Sequence, residues 1–332
     1  MVLAGERVLV TGASGFIGGA LVARLVREGA HVRGLVRSQA KGARIAALGA
    51  EPVVGDLLDG DSLRRAAQGC QVIFHVGAVT SGPAAVQYAV NVAGVGRLLQ
   101  AAQQAGASRL VHVSSIAVYG YATPDVIHEG VPLRPGAEHY GQSKALGERL
   151  LWERAAEPGP AVTVIRAGMV YGPRSGFWTG RLFDLMKRRP APLPGNGEGF
   201  CPAIYIDDVI DLLVTVAAHP RAAGEAFNAT PDPPPTWREF LGAYAAMAGH
   251  QTFVPVPFSL LHLAAALLEP LLRLGGDPQP VRGMVRAVLA GRKIYSMAKA
   301  ARLLGWRARV PLAEGMAQAE AWLRETGRLT RR

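Results

Sequence analysis

Tyr140 and Lys144, in the stretch "HYGQSKALGE", stand four residues apart in a helical pattern, so their side chains fall on one helix face. An ammonium beside a phenol favours the phenolate and draws the phenol's pKa toward the working range, which makes Tyr140 a usable general acid or base. Ser114 and Ser115 end the apolar run "RLVHVSS". A hydroxyl at that strand end, next to a helix bearing the Tyr–Lys pair, can hold a substrate hydroxyl or carbonyl oxygen while the phenol exchanges a proton with it. The three residues together describe hydride transfer with coupled proton transfer, the hydride chemistry being left to a nicotinamide.

A second group of residues prepares for that nicotinamide. "VLVTGASGFIGGAL" places Gly12, Gly15 and Gly18 at a strict three-residue spacing between an apolar run and a helical pattern. A missing Cβ permits a tight turn and close approach of a ligand, and the free N–H groups of a helix N-terminus attract an anion. A pyrophosphate is the natural guest, the more so because the motif opens a strand–helix–strand unit. In "VRGLVRSQAK" the second strand ends in Val36 and is followed by Arg37, Ser38 and Lys41, with no acid. An acid there would accept the ribose hydroxyls of NAD and repel a 2′-phosphate. A cation and a hydroxyl suit the phosphate, so NADP(H) is the expected cofactor and NAD(H) the alternative.

The elements that must position these residues alternate through the first half of the chain. After the first strand and helix come "HVRGLV", "PVVGD", a helix from about Ser62 to Gly69, the strand "VIFHVGA" and a long helix from about Pro83 to Ala105. "RLVHVSS", a helix near Tyr140 to Ala156 and "VTVIRAG" follow. Strands separated by helices predict an α/β fold with a parallel, doubly wound sheet covered on both faces, whose ligands bind at the carboxyl ends of the strands. From Tyr171 to Pro202 and from Pro231 onward, Pro and Gly punctuate short irregular pieces. The expectation is a nucleotide-binding domain of residues 1–172 plus about 203–230, and a smaller, discontinuous substrate domain of about 173–202 plus 231–332.

Composition narrows the function classes. Among 332 residues 49% are apolar, and the formal net charge is +11. Only five of the 36 basic residues are Lys, and the Arg residues are scattered without a basic tail, so no nucleic-acid partner is expected. Cys70 and Cys201 are far apart, and His75, His112, His128 and His139 fit no ligand spacing, so neither a disulfide framework nor a metal is predicted. The chain begins directly with a strand, leaving no room for a signal peptide, and a cytoplasmic location follows as the expectation. "FSLLHLAAALLEPLL", Phe258 to Leu272, is too short and broken to span a bilayer and reads as a buried helix pair, with an apolar substrate wall or a membrane-surface contact as the alternatives. Asp207 and Asp208 resemble paired carboxylates but are expected to cap a helix starting near Val209.

These motifs, in this order, resemble the extended short-chain dehydrogenases/reductases, the superfamily of nucleotide-sugar epimerases, dehydratases and 3β-hydroxysteroid dehydrogenases. The resemblance covers nearly the whole chain and implies a Rossmann-type sheet. It places cofactor contacts on "TGASGFIG" (Gly12, Ser14, Gly15, Phe16, Ile17, Gly18), on Asp56 and Leu57 of "GDL", on Gly77 and Ala78 of "HVGA" and on Val170 of "VYGP". Asn91 of "NVAG" falls on the family's structural and proton-relay Asn, and the catalytic hydroxyl falls on Ser115, with Tyr140 and Lys144 completing the set. It also implies a homodimer formed through two helices per subunit.

Departures from the family pattern refine the expectation. Dehydratases carry an Asp–Glu pair after the catalytic hydroxyl, where this chain has Ile116 and Ala117. Nucleotide-sugar enzymes usually carry an Arg before the "YIDDV" element, whose fork pairs with a diphosphate; the matching place here is Cys201. The family's usual Pro after the Arg of the sixth strand is Ala167. The pattern is closest to the 3β-hydroxysteroid and sterol dehydrogenase branch, which implies interconversion of a secondary alcohol and a ketone on a largely apolar, sterol-like or long-chain substrate. A sugar-nucleotide 4-epimerase using the same triad is the enzymatic alternative, with Arg174, Arg181 or Arg292 rebuilding a diphosphate site. A cofactor-sensing protein without turnover is the non-enzymatic one.

Overall fold

The computed structural model describes residues 3–120, 124–136, 138–155, 157–261, 263–264, 266–267 and 292–330. Seven parallel strands form the central sheet: β1 (Arg7–Thr11), β2 (His31–Val36), β3 (Glu51–Val54), β4 (Val72–His75), β5 (Arg109–Ser115), β7 (Ala161–Ala167) and β11 (Glu225–Ala229). Their spatial order is β11-β7-β5-β4-β1-β2-β3. Three two-stranded pairs lie outside it: β6 (Val126–Ile127) with β13 (Ile294–Tyr295), β8 (Met169–Tyr171) with β10 (Ala203–Tyr205), and β9 (Ala191–Pro194) with β12 (Phe253–Val256).

The period-two alternation of β1 decides how the sheet is covered. Val8 and Val10 point into one apolar cluster with Leu21 and Leu25 of α1 (Phe16–Arg27), while Leu9 points into another with Leu63, Leu98 and Leu151. The second face is covered by α3 (Gly60–Ala67), α5 (Gly94–Gln104) and α6 (His139–Glu153), which follow α2 (Gln39–Ala46) and the short α4 (Ala84–Tyr88) in the chain. The first face also receives Val209 and Leu213 of α8 (Ile206–Ala218), which follows α7 (Leu182–Met186). Both faces are covered by helices, as a parallel sheet requires. The remaining described helices are α9 (Trp237–Met247), α10 (Ala298–Leu304) and α11 (Leu312–Glu325).

Strand order reverses between β1 and β4, the switch point outside whose carboxyl ends open α/β sheets bind ligands. Register lines up the polar residues at that end of the sheet: Thr11 pairs with His75, His75 with His112, and Ser114 with Arg166. The long helix expected from Pro83 to Ala105 is α4 and α5 joined by a π-helical turn, Ala89–Ala93, with Asn91 buried at its centre.

Asp207 and Asp208 do not cap α8. The helix begins at Ile206 after Tyr205, which puts both carboxylates inside its first turn. Asp208 Oδ1 instead accepts the Arg309 backbone N–H at 2.8 Å, and Oδ2 accepts that of Val310 at 3.2 Å, fastening the C-terminal chain to the sheet domain.

Candidate active site

The three glycines of the first loop answer to three different constraints. Gly12 has φ +68°, and a Cβ there would stand 2.7 Å from the Gly77 backbone, so the β1 and β4 loops meet only because neither residue carries a side chain. At Gly18 a Cβ would collide with the Gly12 carbonyl oxygen, so its absence lets α1 close onto the turn. Gly15 is exposed, and an added Cβ would meet only the Gly12 oxygen, at 3.1 Å. Gly15 is also the N-cap of α1, with no side-chain cap and no acid in the first turn. The helix start, flanked by Ser14, Phe16 and Ile17, is therefore an open positive end suited to a diphosphate.

Beyond β2, Arg37 and Ser38 are both exposed, and Ser38 is the N-cap of α2 without using its side chain to cap it. On the neighbouring loop, Asp56 is half-buried and its Oδ1 accepts the Leu58 N–H at 2.8 Å, with Leu57 between them. Gly77 and Ala78 follow β4, and Thr11 Oγ1 accepts the Gly77 N–H at 3.3 Å. These residues follow the carboxyl ends of β1, β2, β3 and β4, and their chemistry fits a dinucleotide. Val170 stands apart: its side chain is buried in the core on β8, and its carbonyl accepts the Ser175 hydroxyl at 3.3 Å.

Ser115 ends β5 and caps the following 3-10 turn, Ile116–Tyr119, accepting the Ala117 N–H at 3.2 Å. Desolvation by burial raises the Tyr140 phenol above its ordinary value, and the Ser115 hydroxyl offsets this only in part. Lys144 does not produce the expected lowering. Its ammonium is buried on the sheet side of α6, donates to the Val113 carbonyl at 2.7 Å and lies 3.2 Å from His112 Nε2. Burial pushes Lys144 down to about 8, partly offset by the charge of Glu148. Near neutral pH Tyr140 is thus a protonated phenol backed by a lysine that titrates close to the working range.

Asn91 is committed elsewhere. Its Oδ1 accepts the Val79 N–H at 2.9 Å, and its Nδ2 donates to the Val79 carbonyl at 2.8 Å and to Ser143 Oγ at 3.0 Å. The π-turn thereby ties the β4 loop to the helix bearing Tyr140.

A buried polar array beneath the site had no sequence signal beyond single residues. Thr11 Oγ1 lies 2.7 Å from His75 Nδ1, and the His75 and His112 rings have centroids 5.0 Å apart. Burial, reinforced by the Lys144 charge, pushes His75 down to about 3 and His112 well below its ordinary value, so both are neutral. One helical turn past Lys144, Glu148 pairs with Arg166 of β7. Arg166 also donates to Tyr119 Oη at 2.8 Å, and Tyr119 donates to Asn228 Oδ1 at 2.7 Å, continuing the network to β11. Among the described residues no cluster of His, Cys, Asp and Glu could hold a metal ion, and no helix is long and apolar enough to cross a membrane.

At the substrate side, Cys201 is completely buried and burial raises its thiol well above the ordinary value. Arg174 is exposed with φ 73°, and Arg292 is exposed. In the Phe258–Leu272 segment, Phe258 packs on the main core, whereas Leu260, Leu263 and Leu267 are all more than half exposed. Residues 268–272, the end of the expected apolar helix pair, lie outside the described residues.

Residues 8–230 match the model of the NAD dependent epimerase/dehydratase family. The chain belongs to that family. Among relatives of this epimerase/dehydratase family member, the 4-hydroxy-2-methyl-3-oxo-4-farnesyl-3,4-dihydroquinoline-1-oxide ketoreductase of Stigmatella aurantiaca is 32% identical, over 93% of this chain and 94% of that protein. The UDP-glucose 4-epimerase of Mycolicibacterium smegmatis is 30% identical, over 96% and 98%. A short-chain dehydrogenase/reductase superfamily protein of Agrobacterium tumefaciens, solved with bound NAD, superposes with a TM-score of 0.75 at 26% identity, covering 97% of this chain and 98% of that one. The protein is an NAD(P)-dependent oxidoreductase of the extended short-chain dehydrogenase/reductase type.

Proposed function

We propose that this protein interconverts an apolar ketone and its secondary alcohol with NADP(H). The observation that carries the reading is the placement of Tyr140 and Lys144 one turn apart on α6, with the Lys144 ammonium fastened to β5, the strand that ends in Ser115. When bound, the nicotinamide supplies the hydride in the reductive direction and accepts it in the oxidative one.

The chain's own residues handle the oxygen and its proton. Ser115 holds the carbonyl oxygen, and Tyr140 donates its phenolic proton to that oxygen as the alkoxide forms. The Tyr140 phenolate left behind takes a proton back before the next turnover. Gly12, Gly15, Gly18 and the first turn of α1 hold the diphosphate, Asp56, Leu57, Gly77 and Ala78 line the adenosine side, and Lys144 meets the nicotinamide ribose. Arg37 and Ser38 favour a 2′-phosphate. Asn91 contributes by fastening the β4 loop. In the reading advanced here residues 173–202 and 231–332 supply the substrate-binding part.

Two features support an apolar substrate. Cys201, where sugar-nucleotide enzymes usually carry the diphosphate Arg, is sealed in the core, and an unpaired buried diphosphate would be costly. Leu260, Leu263 and Leu267 leave apolar surface available, worth roughly 25 cal/mol per Å² when covered. The ketoreductase relative, named for a farnesylated substrate, agrees with this reading. The epimerase relative favours a second one, in which UDP-glucose is oxidised and re-reduced at one carbon. Calorimetric titration with UDP separates them: no saturable binding is expected, whereas micromolar binding abolished by Arg174→Ala or Arg292→Ala would replace the ketoreductase with the epimerase.

A further inference from the structure

Lys144 is held from beneath in a way that its place in the Tyr–Lys pair does not explain. An ammonium has three N–H donors. One goes to the Val113 carbonyl at 2.7 Å, and His112 Nε2 stands 3.2 Å away, where it can receive a second. Both partners belong to β5, so they fix the direction of the remaining donor, which has no partner among the described residues.

The second partner is a neutral acceptor in a place where a carboxylate would have been the electrostatically obvious choice. Glu148, one turn along α6, is taken by Arg166 through two guanidinium nitrogens at 2.8 and 3.0 Å. The charges and titratable groups facing Lys144 are therefore His112 from β5, His75 behind it from β4, the Arg166-paired Glu148, and Tyr140 on its own helix. A carboxylate in place of His112 would neutralise the ammonium, whereas an imidazole orients it and leaves its charge directed outward. The arrangement carries a cost: with Nε2 accepting, the ring proton sits on His112 Nδ1, a buried atom without a hydrogen-bond partner.

We propose that His112 is a positioning residue for Lys144, accepting its ammonium at Nε2 in the Nδ1–H tautomer and aiming the third N–H at the bound cofactor. The inference rests on the proposed role of Lys144 in the nucleotide site. Two measurements test it without turnover. Long-range ¹H–¹⁵N correlation spectra of wild-type protein labelled in histidine should show His112 protonated at Nδ1 and bare at Nε2; the opposite tautomer could not accept from an ammonium and overturns the proposal.

The chain has only five lysines, so ¹³Cε-lysine labelling resolves Lys144, assigned by the signal missing from Lys144→Met. In His112→Phe, Lys144 should titrate about one pH unit lower, and NADPH should bind about tenfold more weakly by fluorescence titration. His112→Gln, which restores an acceptor, should return both toward wild type. A folded His112→Phe with unchanged titration and unchanged NADPH affinity would overturn the proposal. Failure of NADPH-linked turnover alone would instead count against the functional reading and leave these results standing.

Discussion

Glu148 of α6 and Arg166 of β7 form a buried, multiply hydrogen-bonded ion pair, with 2.8 Å between Arg166 Nη2 and Glu148 Oε2. The pair locks the helix carrying Tyr140 and Lys144 to the sheet one turn beyond the reacting groups. Removing one partner strands the other charge in the core. Glu148→Ala is expected to cost about 3–5 kcal/mol in urea denaturation, whereas Glu148→Leu combined with Arg166→Met should recover most of it. A loss below about 1 kcal/mol in the single variant would mean that the pair does not hold the helix.

His75 gives the protein a built-in acid sensitivity. Its folded pKa of about 3 lies below the ordinary 6.5, so from pH 6.5 downward the unfolded chain binds a proton that the folded chain refuses. Stability is therefore lost as pH falls through that window, by up to about 1.4 kcal/mol per pH unit for this residue. Denaturation at pH 7, 6 and 5 should show a shallower decline for His75→Gln than for wild type. Parallel declines would show that His75 is protonated in the folded protein.

The different surroundings of Gly15 and Gly18 separate ligand binding from folding. Gly18→Ala forces a Cβ into the Gly12 carbonyl and is expected to lower the melting temperature markedly. Gly15→Ala meets only one atom at 3.1 Å, so its melting temperature should stay near wild type while dinucleotide affinity falls by tenfold or more. Equal melting temperatures for the two variants would contradict this division.

Arg37 carries the cofactor preference. Loss of one charge-assisted phosphate contact should weaken NADPH binding roughly ten- to a hundredfold in Arg37→Ala and leave NADH binding nearly unchanged. Wild type that binds NADH as tightly as NADPH, or a variant weakened equally for both, would refute the preference.

What the sequence made legible is what local chemistry encodes. Gly12, Gly15 and Gly18, the alternating strands and helices, and Tyr140 and Lys144 on one helix face all follow from spacing along the chain. What depended on register between distant strands was not legible. His75 and His112 each read as strand residues, and only the pairing of β4 with β5 brings them together. Nothing in the chain near Glu148 points to Arg166, which only the packing of α6 on β7 brings to it. Asp208 was misread because its partners, the Arg309 and Val310 N–H groups, lie about a hundred residues away. The expected lowering of the Tyr140 phenol by Lys144 failed for a related reason: neighbours on a helix face share a side, but β5 draws the ammonium onto its own acceptors. The π-turn around Asn91 was hidden because a continuous helical pattern does not show one extra residue in a turn.

The central claim is that Tyr140 delivers the proton in NADPH-linked reduction of an apolar ketone. Its most direct test follows NADPH oxidation by wild type and Tyr140→Phe over a panel of hydrophobic ketones, with NADPH affinity measured on both proteins. Wild type is expected to turn over at least one ketone measurably, with a fall of at least a hundredfold in kcat for Tyr140→Phe and NADPH affinity within a few fold. Turnover by Tyr140→Phe within a few fold of wild type, or no turnover of any ketone alongside epimerisation of UDP-glucose, would contradict it.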